Sequence, residues 1–295
     1  MVQVNPYTAK LKLMDLTIPI FAAVGCSLCN GISTVLQKTG ADEEAKIKSL
    51  NVKVFLRLLK NKPYMGGIIF AMVGWALSLV ALQELPLFLV QTVMAASIVV
   101  TAAGERIVTH RPLGGETYKA VAIVLLGLAF VAISSQPSKA IISHGGVNGL
   151  VEIAPMFLAI IGIAFIYIKN RLSSIALALI GGICFGGTSV VGRILIYPHH
   201  LWLIIENPLV WALVFYAILG QYFFTISLQR TTGTKSNSLM ITSQTFFPAL
   251  IGLLYFNDKI RNDFNIVVLV GSILVVYGCI KIARVDTDIP KNVAV

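Results

Sequence analysis

Hydrophobic positions along this chain come in blocks of about 20 residues, separated by short polar breaks. Blocks of that length predict helices that span a bilayer. About 30 Å of hydrocarbon takes about 20 residues of α-helix, and every backbone group inside it must be satisfied within its own helix. Nine such spans can be drawn: Leu16–Gln37, Tyr64–Leu82, Leu87–Ala103, Lys119–Ser135, Leu150–Ile168, Ser174–Ile196, Pro208–Leu228, Ser236–Phe256 and Phe264–Ala283. The longest break, Lys38–Pro63, holds Lys53, Arg57 and Lys60 at i, i+4, i+7 beneath an apolar face. That pattern suits a short helix lying in the lipid headgroups, or an ordinary solvated connector.

Composition agrees: 57% of the 295 residues are hydrophobic and 12% charged, with a mean hydropathy of +0.84. A soluble globular chain of this size does not look like that. The net charge of +10 follows the membrane rather than a nucleic-acid surface. Of the 23 Lys and Arg, only Lys10, Lys12, Lys139, Lys259 and Arg261 fall on one side, and Arg193 lies within a span. By the positive-inside rule the rich side is cytoplasmic, which puts the N-terminus outside, the C-terminus inside, and the protein in the cell membrane. The first apolar run reaches Gln37 and is too long for a signal-peptide core. Cys26, Cys29, Cys184 and Cys279 all lie within spans and read as small apolar fillers, so neither metal nor cofactor is expected.

Two internal matches give the organisation. AAVGCSLCNGISTVLQ, from Ala22, lies over ALIGGICFGGTSVVGR, from Ala178, with Gly25/Gly181, Gly31/Gly187 and Ser33/Ser189 identical. QTVMAASIVVTAAGERI, from Gln91, lies over QTFFPALIGLLYFNDKI, from Gln244, with Gln91/Gln244, Thr92/Thr245 and Ile107/Ile260 identical and Glu105-Arg106 over Asp258-Lys259. Span 1 thus corresponds to span 6 and span 3 to span 8, five crossings on. Five is odd, so the halves run in opposite senses. The expected fold is an all-α polytopic membrane protein of about nine helices. A first half over residues 1–149 and a second over 174–295, four helices each, are joined by a linking span within 150–173. Inverted repeats around a midplane site are what alternating-access carriers use.

The polar groups within spans supply candidate site residues. Cys26, Asn30, Ser33 and Gln37 form one stripe along span 1, which should not face lipid. Its repeat mates are Gly182, Gly186, Ser189 and Arg193, a small-residue groove ending in a cation; the groove reads equally as tight helix packing. Arg193 either binds an anion or gates, or snorkels to the headgroups from the outer end of its span. Gln91 and Gln244 offer an acceptor and two donors without charge, suited to an uncharged or zwitterionic solute or to interhelical bonding. Pro248 removes the backbone donor four residues beyond Gln244 and frees the carbonyl there. Trp75 either lines the path or belongs to an aromatic belt. The candidate solute-binding set is Asn30, Ser33, Trp75, Gln91, Ser189 and Gln244. The Glu105-Arg106 and Asp258-Lys259 pairs read as solvated loop charges or gates.

With the repeat pair and the Gly-Glu-Arg ending in view, the stretch ALQELPLFLVQTVMAASIVVTAAGERIVTHRPLGGETYKAVAIVLLGLAFVAIS, Ala81–Ser134, resembles the drug/metabolite transporter superfamily, EamA-like carriers. A weaker copy runs through YFNDKI and GSILVVYG. The resemblance covers nearly the whole chain with degenerate motifs. It implies a carrier of a small organic solute and a helix that ends at a Gly-Glu-Arg turn. The nine-span layout, with a basic loop in place of a second helix, is also similar to the NIPA-type magnesium-transporter branch, the alternative. That branch carries a glutamate in its second span, where this chain has Trp75 or a neighbour. An intramembrane enzyme is a further reading, and His110, His144, His199 and His200 all lie in loops without a catalytic motif; a channel is another. The expected partners are a small-molecule substrate and the lipid bilayer, with the chain a monomer or homodimer, no enzyme and no binder of nucleic acid.

Overall fold

A chain buried in hydrocarbon has to close its backbone hydrogen bonds on itself, and helices do so segment by segment. The computed structural model describes residues 6–44, 52–84, 90, 93–109, 114–134, 146–168, 170–195, 208–255, 261 and 263–284, and no strand occurs among them. The helices are α1 (Pro6–Glu43), α2 (Val52–Leu58), α3 (Lys62–Glu84), α4 (Ser97–Thr109), α5 (Gly115–Ser134), α6 (Gly146–Tyr167), α7 (Arg171–Leu195), α8 (Pro208–Arg230), α9 (Gly233–Tyr255) and α10 (Asn265–Arg284). Among the described residues, four stretches are long and apolar enough to cross a membrane: Thr17–Glu43, Leu172–Gly192, Pro208–Arg230 and Asn265–Ile282. They make this an α-helical, membrane-embedded bundle.

Helix boundaries depart from the expected spans where tertiary contacts extend a helix into polar sequence. α1 runs past Gln37 to Glu43 because Gly40 lies against Tyr64, with room for no Cβ between them, and Ala41 is buried. Asn61 then starts α3. Its Oδ1 accepts the Tyr64 amide at 3.1 Å and its Nδ2 donates to Glu43 Oε2 at 2.8 Å, an N-cap that also ties down the end of α1. The amphipathic segment forms the short α2. It is docked by its apolar side: Leu58 is buried and the Phe55 ring stands edge-on to Tyr222 at 5.2 Å, while Arg57 and Lys60 are exposed.

The third expected span, Leu87–Ala103, is interrupted. Val93–Ala95 is helical, a turn follows at Ala96, and α4 begins at Ser97. The Ala96 amide donates to Val93 O at 3.1 Å and the Val99 amide to Ala96 O at 3.0 Å, tight i→i+3 bonds of 3₁₀ type. At its other end α4 continues through Gly104, Glu105 and Arg106 to Thr109. The Gly-Glu-Arg group is therefore helical and not a turn.

α1 packs against α3 and α4, and α7 packs against α8 and α9; α4 meets α9, and α5 meets α10. The last pair crosses at glycine on glycine. A Cβ on Gly127 would lie 2.8 Å from Gly271 O, and one on Gly271 would lie 2.9 Å from Gly127 O. Such a crossing lets two backbones approach as no larger residue would permit.

Candidate functional site

The polar stripe of α1 faces protein. Cys26, Ser33 and Gln37 are buried and Asn30 is half-buried. Glycines of α3 make room for it: Gly74 lies beside the Asn30 amide, and Gly67 beside Ser33 O and Gln37. Asn30 Nδ2 donates to Cys26 Sγ at 3.3 Å and Gln37 Nε2 to Ser33 Oγ at 2.9 Å. Gln37 then reaches across the molecule, its Oε1 accepting from Gln221 Nε2 of α8 at 2.7 Å.

From Gln221 the hydrogen bonds close a ring. Gln221 Nε2 donates to Tyr64 Oη at 3.0 Å, and Tyr64 Oη and Thr225 Oγ1 lie 2.5 Å apart. Thr225 Oγ1 returns its proton to Gln221 O at 2.7 Å, so Tyr64 is the donor in the middle step. Ser33, Gln37, Tyr64, Gln221 and Thr225 thus form one network joining α1 and α3 to α8. Every member has at least one partner among the others, as buried polar groups require.

Charged side chains at the same end of the bundle cap neighbouring helices. Glu105 is buried and sits at the N-terminus of α9. Its Oε1 accepts the Gly233 amide at 2.9 Å, and its Oε2 accepts the Thr234 amide at 2.8 Å and the Thr234 hydroxyl at 2.6 Å. A carboxylate there satisfies amides that have no intrahelical partner and complements the helix dipole. Lys38 Nζ donates to Leu228 O at 2.8 Å and to Asp42 Oδ1 at 2.6 Å. Arg230 donates to Ile166 O at 2.7 Å, to Ser173 Oγ at 2.8 Å, and to Phe165 O and Ile168 O at 3.4 Å. Both cations meet the free carbonyls of a helix C-terminus, of α8 and of α6 respectively. Gln229 Nε2 adds a bond to Ala41 O at 3.1 Å. Glu105 is therefore no solvated loop charge, because the helix carrying it extends far enough to bury its carboxylate against α9.

One turn deeper, α4 and α9 meet again. Asn237 Nδ2 donates to Thr101 Oγ1 at 2.8 Å, and Thr101 Oγ1 lies 2.9 Å from Ser97 O and 3.4 Å from Gly31 O of α1. Ser97, Thr101 and Asn237 are fully buried. Ser97 Oγ and Asn237 Oδ1 have no hydrogen-bond partner, a state they share with Thr245 Oγ1 further along α9.

The groove of α7 is filled by α9. A Cβ on Gly182 would collide with Ser243 Oγ and Met240 O, and one on Gly186 would stand 3.0 Å from Pro248 and 3.2 Å from Gln244 O. The carbonyl that Pro248 deprives of its donor is thus covered by Gly186. Ser189 and Gln244 are half-buried. Trp75 is 54% exposed, with the exposed Met72 three residues before it on the same face of α3. Gln91 lies outside the described residues, as do the side chain of Arg193 and residues 256–260, which include the Asp258-Lys259 pair; the Arg193 backbone belongs to the last turn of α7.

The structure therefore joins Asn30 and Ser33 to the α1 stripe and leaves Trp75 apart from it. The residues that complete the network, Tyr64, Gln221 and Thr225, carried one readable signal: an amide in the middle of an apolar block needs a reason to be there. Asn237 carried the same signal among the serines and threonines of α9. Among the described residues no three His, Cys, Asp or Glu converge as a metal site would require. The chemistry on offer is neutral hydrogen bonding inside the bundle, sealed at one end by charged caps. Compared with known protein families, curated proteins and solved structures, the chain matches none.

Proposed function

We propose that the chain is a secondary transporter of the drug/metabolite transporter kind, with nine spans in two inverted repeats, which moves a small uncharged or zwitterionic solute across the cell membrane by alternating access. The observation that carries this reading is the recurrence of packing partners. The first helix of each half, α1 and α7, packs on the two spans that follow it, and the pairs α4·α9 and α5·α10 join the halves. Two halves with the same internal contacts can exchange conformations, which is the basis of alternating access. On this reading the end bearing Lys38, Glu105 and Arg230 is the cytoplasmic one. It is closed here by the Gln37–Gln221 bond, by the Lys38 and Gln229 ties between α1 and α8, and by the Glu105 cap. On this reading the solute site lies beyond this seal, toward Asn30, Ser33, Ser189 and Gln244.

Counterflow of labelled solutes in proteoliposomes, over a panel of amino acids, amines, nucleosides and magnesium, tests the proposal. Saturable exchange that Ser33→Ala and Gln244→Ala both weaken is the expected result. A linear flux would mean a channel, and exchange of magnesium alone would replace the organic solute by the divalent ion.

A further inference from the structure

Only three described side-chain atoms are buried without any hydrogen-bond partner, and all three are oxygens on α4 and α9: Ser97 Oγ, Asn237 Oδ1 and Thr245 Oγ1. Buried oxygens without partners are rare, because each forfeits its hydration without compensation. Two of the three belong to residues that meet at one atom, Thr101 Oγ1. Asn237 is held by its Nδ2 on Thr101 Oγ1, and the Ser97 carbonyl lies 2.9 Å from that same hydroxyl. The unpaired oxygens thus belong to the two residues whose other polar atoms hold Thr101 Oγ1. Gly31 O of α1 borders the spot, 3.4 Å from Thr101 Oγ1. The Thr101 proton goes to a helix carbonyl and one of its lone pairs to Asn237, so its remaining lone pair is free as well.

A positive centre that takes lone pairs from several neutral oxygens at once would satisfy them. The helix break at Ala96 falls immediately before Ser97, and membrane carriers coordinate small monovalent cations with the backbone carbonyls of interrupted spans. None of the oxygens named is a carboxylate, which disfavours a divalent ion. Formal charges stand on the adjoining turns, Glu105 on α4 and Lys235 on α9, both buried. Gly31 packs so closely on Val100 and Ser97 O that a Cβ there would collide, which brings the α1 backbone directly against α4.

We propose that Ser97, Thr101 and Asn237, with Gly31 O, form a sodium site between α1, α4 and α9. Its role as the coupling ion rests on the transport reading; its occupancy does not. Thermal unfolding of the purified protein in detergent, with sodium chloride replaced stepwise by potassium or choline chloride at constant ionic strength, reads the site directly. The unfolding temperature is expected to rise saturably with sodium and not with potassium or choline, since a ligand of the native state stabilises it by mass action. Asn237→Leu should abolish the sodium response. Should that variant fail to fold, Ser97→Ala is expected to raise the half-saturating sodium concentration by about tenfold or more, and Asn237→Asp to lower it. Equal unfolding temperatures in all three salts would mean that water fills the site and would overturn the inference, as would a sodium response that Ser97→Ala and Asn237→Leu leave intact. Sodium binding without any solute counterflow would remove the transport reading and keep the site. Counterflow without any sodium effect would do the reverse.

Discussion

Glu105 and Thr234 meet twice. One carboxylate oxygen accepts both the backbone amide of Thr234, at 2.8 Å, and its hydroxyl, at 2.6 Å. The second oxygen takes the Gly233 amide, so a single side chain near the end of α4 organises the start of α9. Glu105→Ala should therefore remove a helix cap and leave three donors unpaired in a buried place. A loss of about 2–4 kcal/mol is expected, measurable as a lower unfolding temperature. Glu105→Gln, which keeps an acceptor, should lose less. Equal stability of wild type and Glu105→Ala would show that the cap contributes nothing.

The Gln37–Gln221 bond lends itself to a double-mutant cycle. Gln221→Leu strands Gln37 Oε1, whose donor is Gln221, and takes the amide donor from Tyr64. Each single leucine variant is expected to cost about 1–3 kcal/mol, the penalty for leaving a buried polar group unpaired. The double variant should cost less than the sum, with a coupling of about 0.5–3 kcal/mol. Strict additivity would mean that the two amides do not sense one another.

An exposed carboxylate makes the pH dependence readable. Glu116, at the start of α5, accepts hydrogen bonds from Lys119 at 2.8 Å and from Lys281 of α10 at 2.9 Å. These bonds, and then the lysine charges, pull its carboxyl down from 4.5 to about 2. A depressed carboxyl contributes stability that is complete above its unfolded value and is lost as pH falls through the folded one. The Glu116 contribution should thus be present above pH 4.5 and fade towards pH 2. Because the group is exposed, the effect should be small and weaken further in high salt. Unfolding temperatures of wild type and Glu116→Gln, measured across that interval, are expected to converge at its acid end; a constant gap would assign the difference to something other than ionisation.

Two glycines of α7 should respond oppositely to alanine. A Cβ on Gly182 meets Ser243 and the backbone of Met240, whereas one on Gly192 meets nothing within 4 Å. Gly182→Ala is expected to destabilise by about 1–3 kcal/mol through overpacking. Gly192→Ala should stabilise by up to about 1 kcal/mol through helix propensity. If both variants behaved alike, the close approach of α7 and α9 would be in doubt.

How far the sequence reached is clearest at α4. The apolar block announced a helix there, because length and hydrophobicity alone set the hydrocarbon match. Neither the break at Ala96 nor the extension through Glu105 to Thr109 was legible, since both depend on neighbours: Gly31 of α1 presses on Ser97 O and Val100, and α9 supplies the amides that Glu105 accepts. The α1 stripe was legible for a local reason, as residues four apart on a helix share a face. Its partners Tyr64 and Gln221 were not, because nothing in a periodicity says which helix lies opposite. Pro248 shows the same division. The loss of a donor follows from the residue itself, and the cover that Gly186 gives to the freed carbonyl follows only from the fold.

Trp75 supplies the last test, since its exposed position on α3 favours the aromatic belt over the solute path. Its indole shares a face with Met72, also exposed, and in a bilayer such a face meets lipid. With Trp202 and Trp211 replaced by phenylalanine, Trp75 fluorescence should be quenched by brominated acyl chains in reconstituted membranes. Trp75→Phe should leave solute counterflow within about twofold of wild type, because a tryptophan on the lipid face contributes packing and not recognition. Quenching by a water-soluble agent in place of the brominated lipid, together with a loss of counterflow in Trp75→Phe, would put the indole back on the solute path.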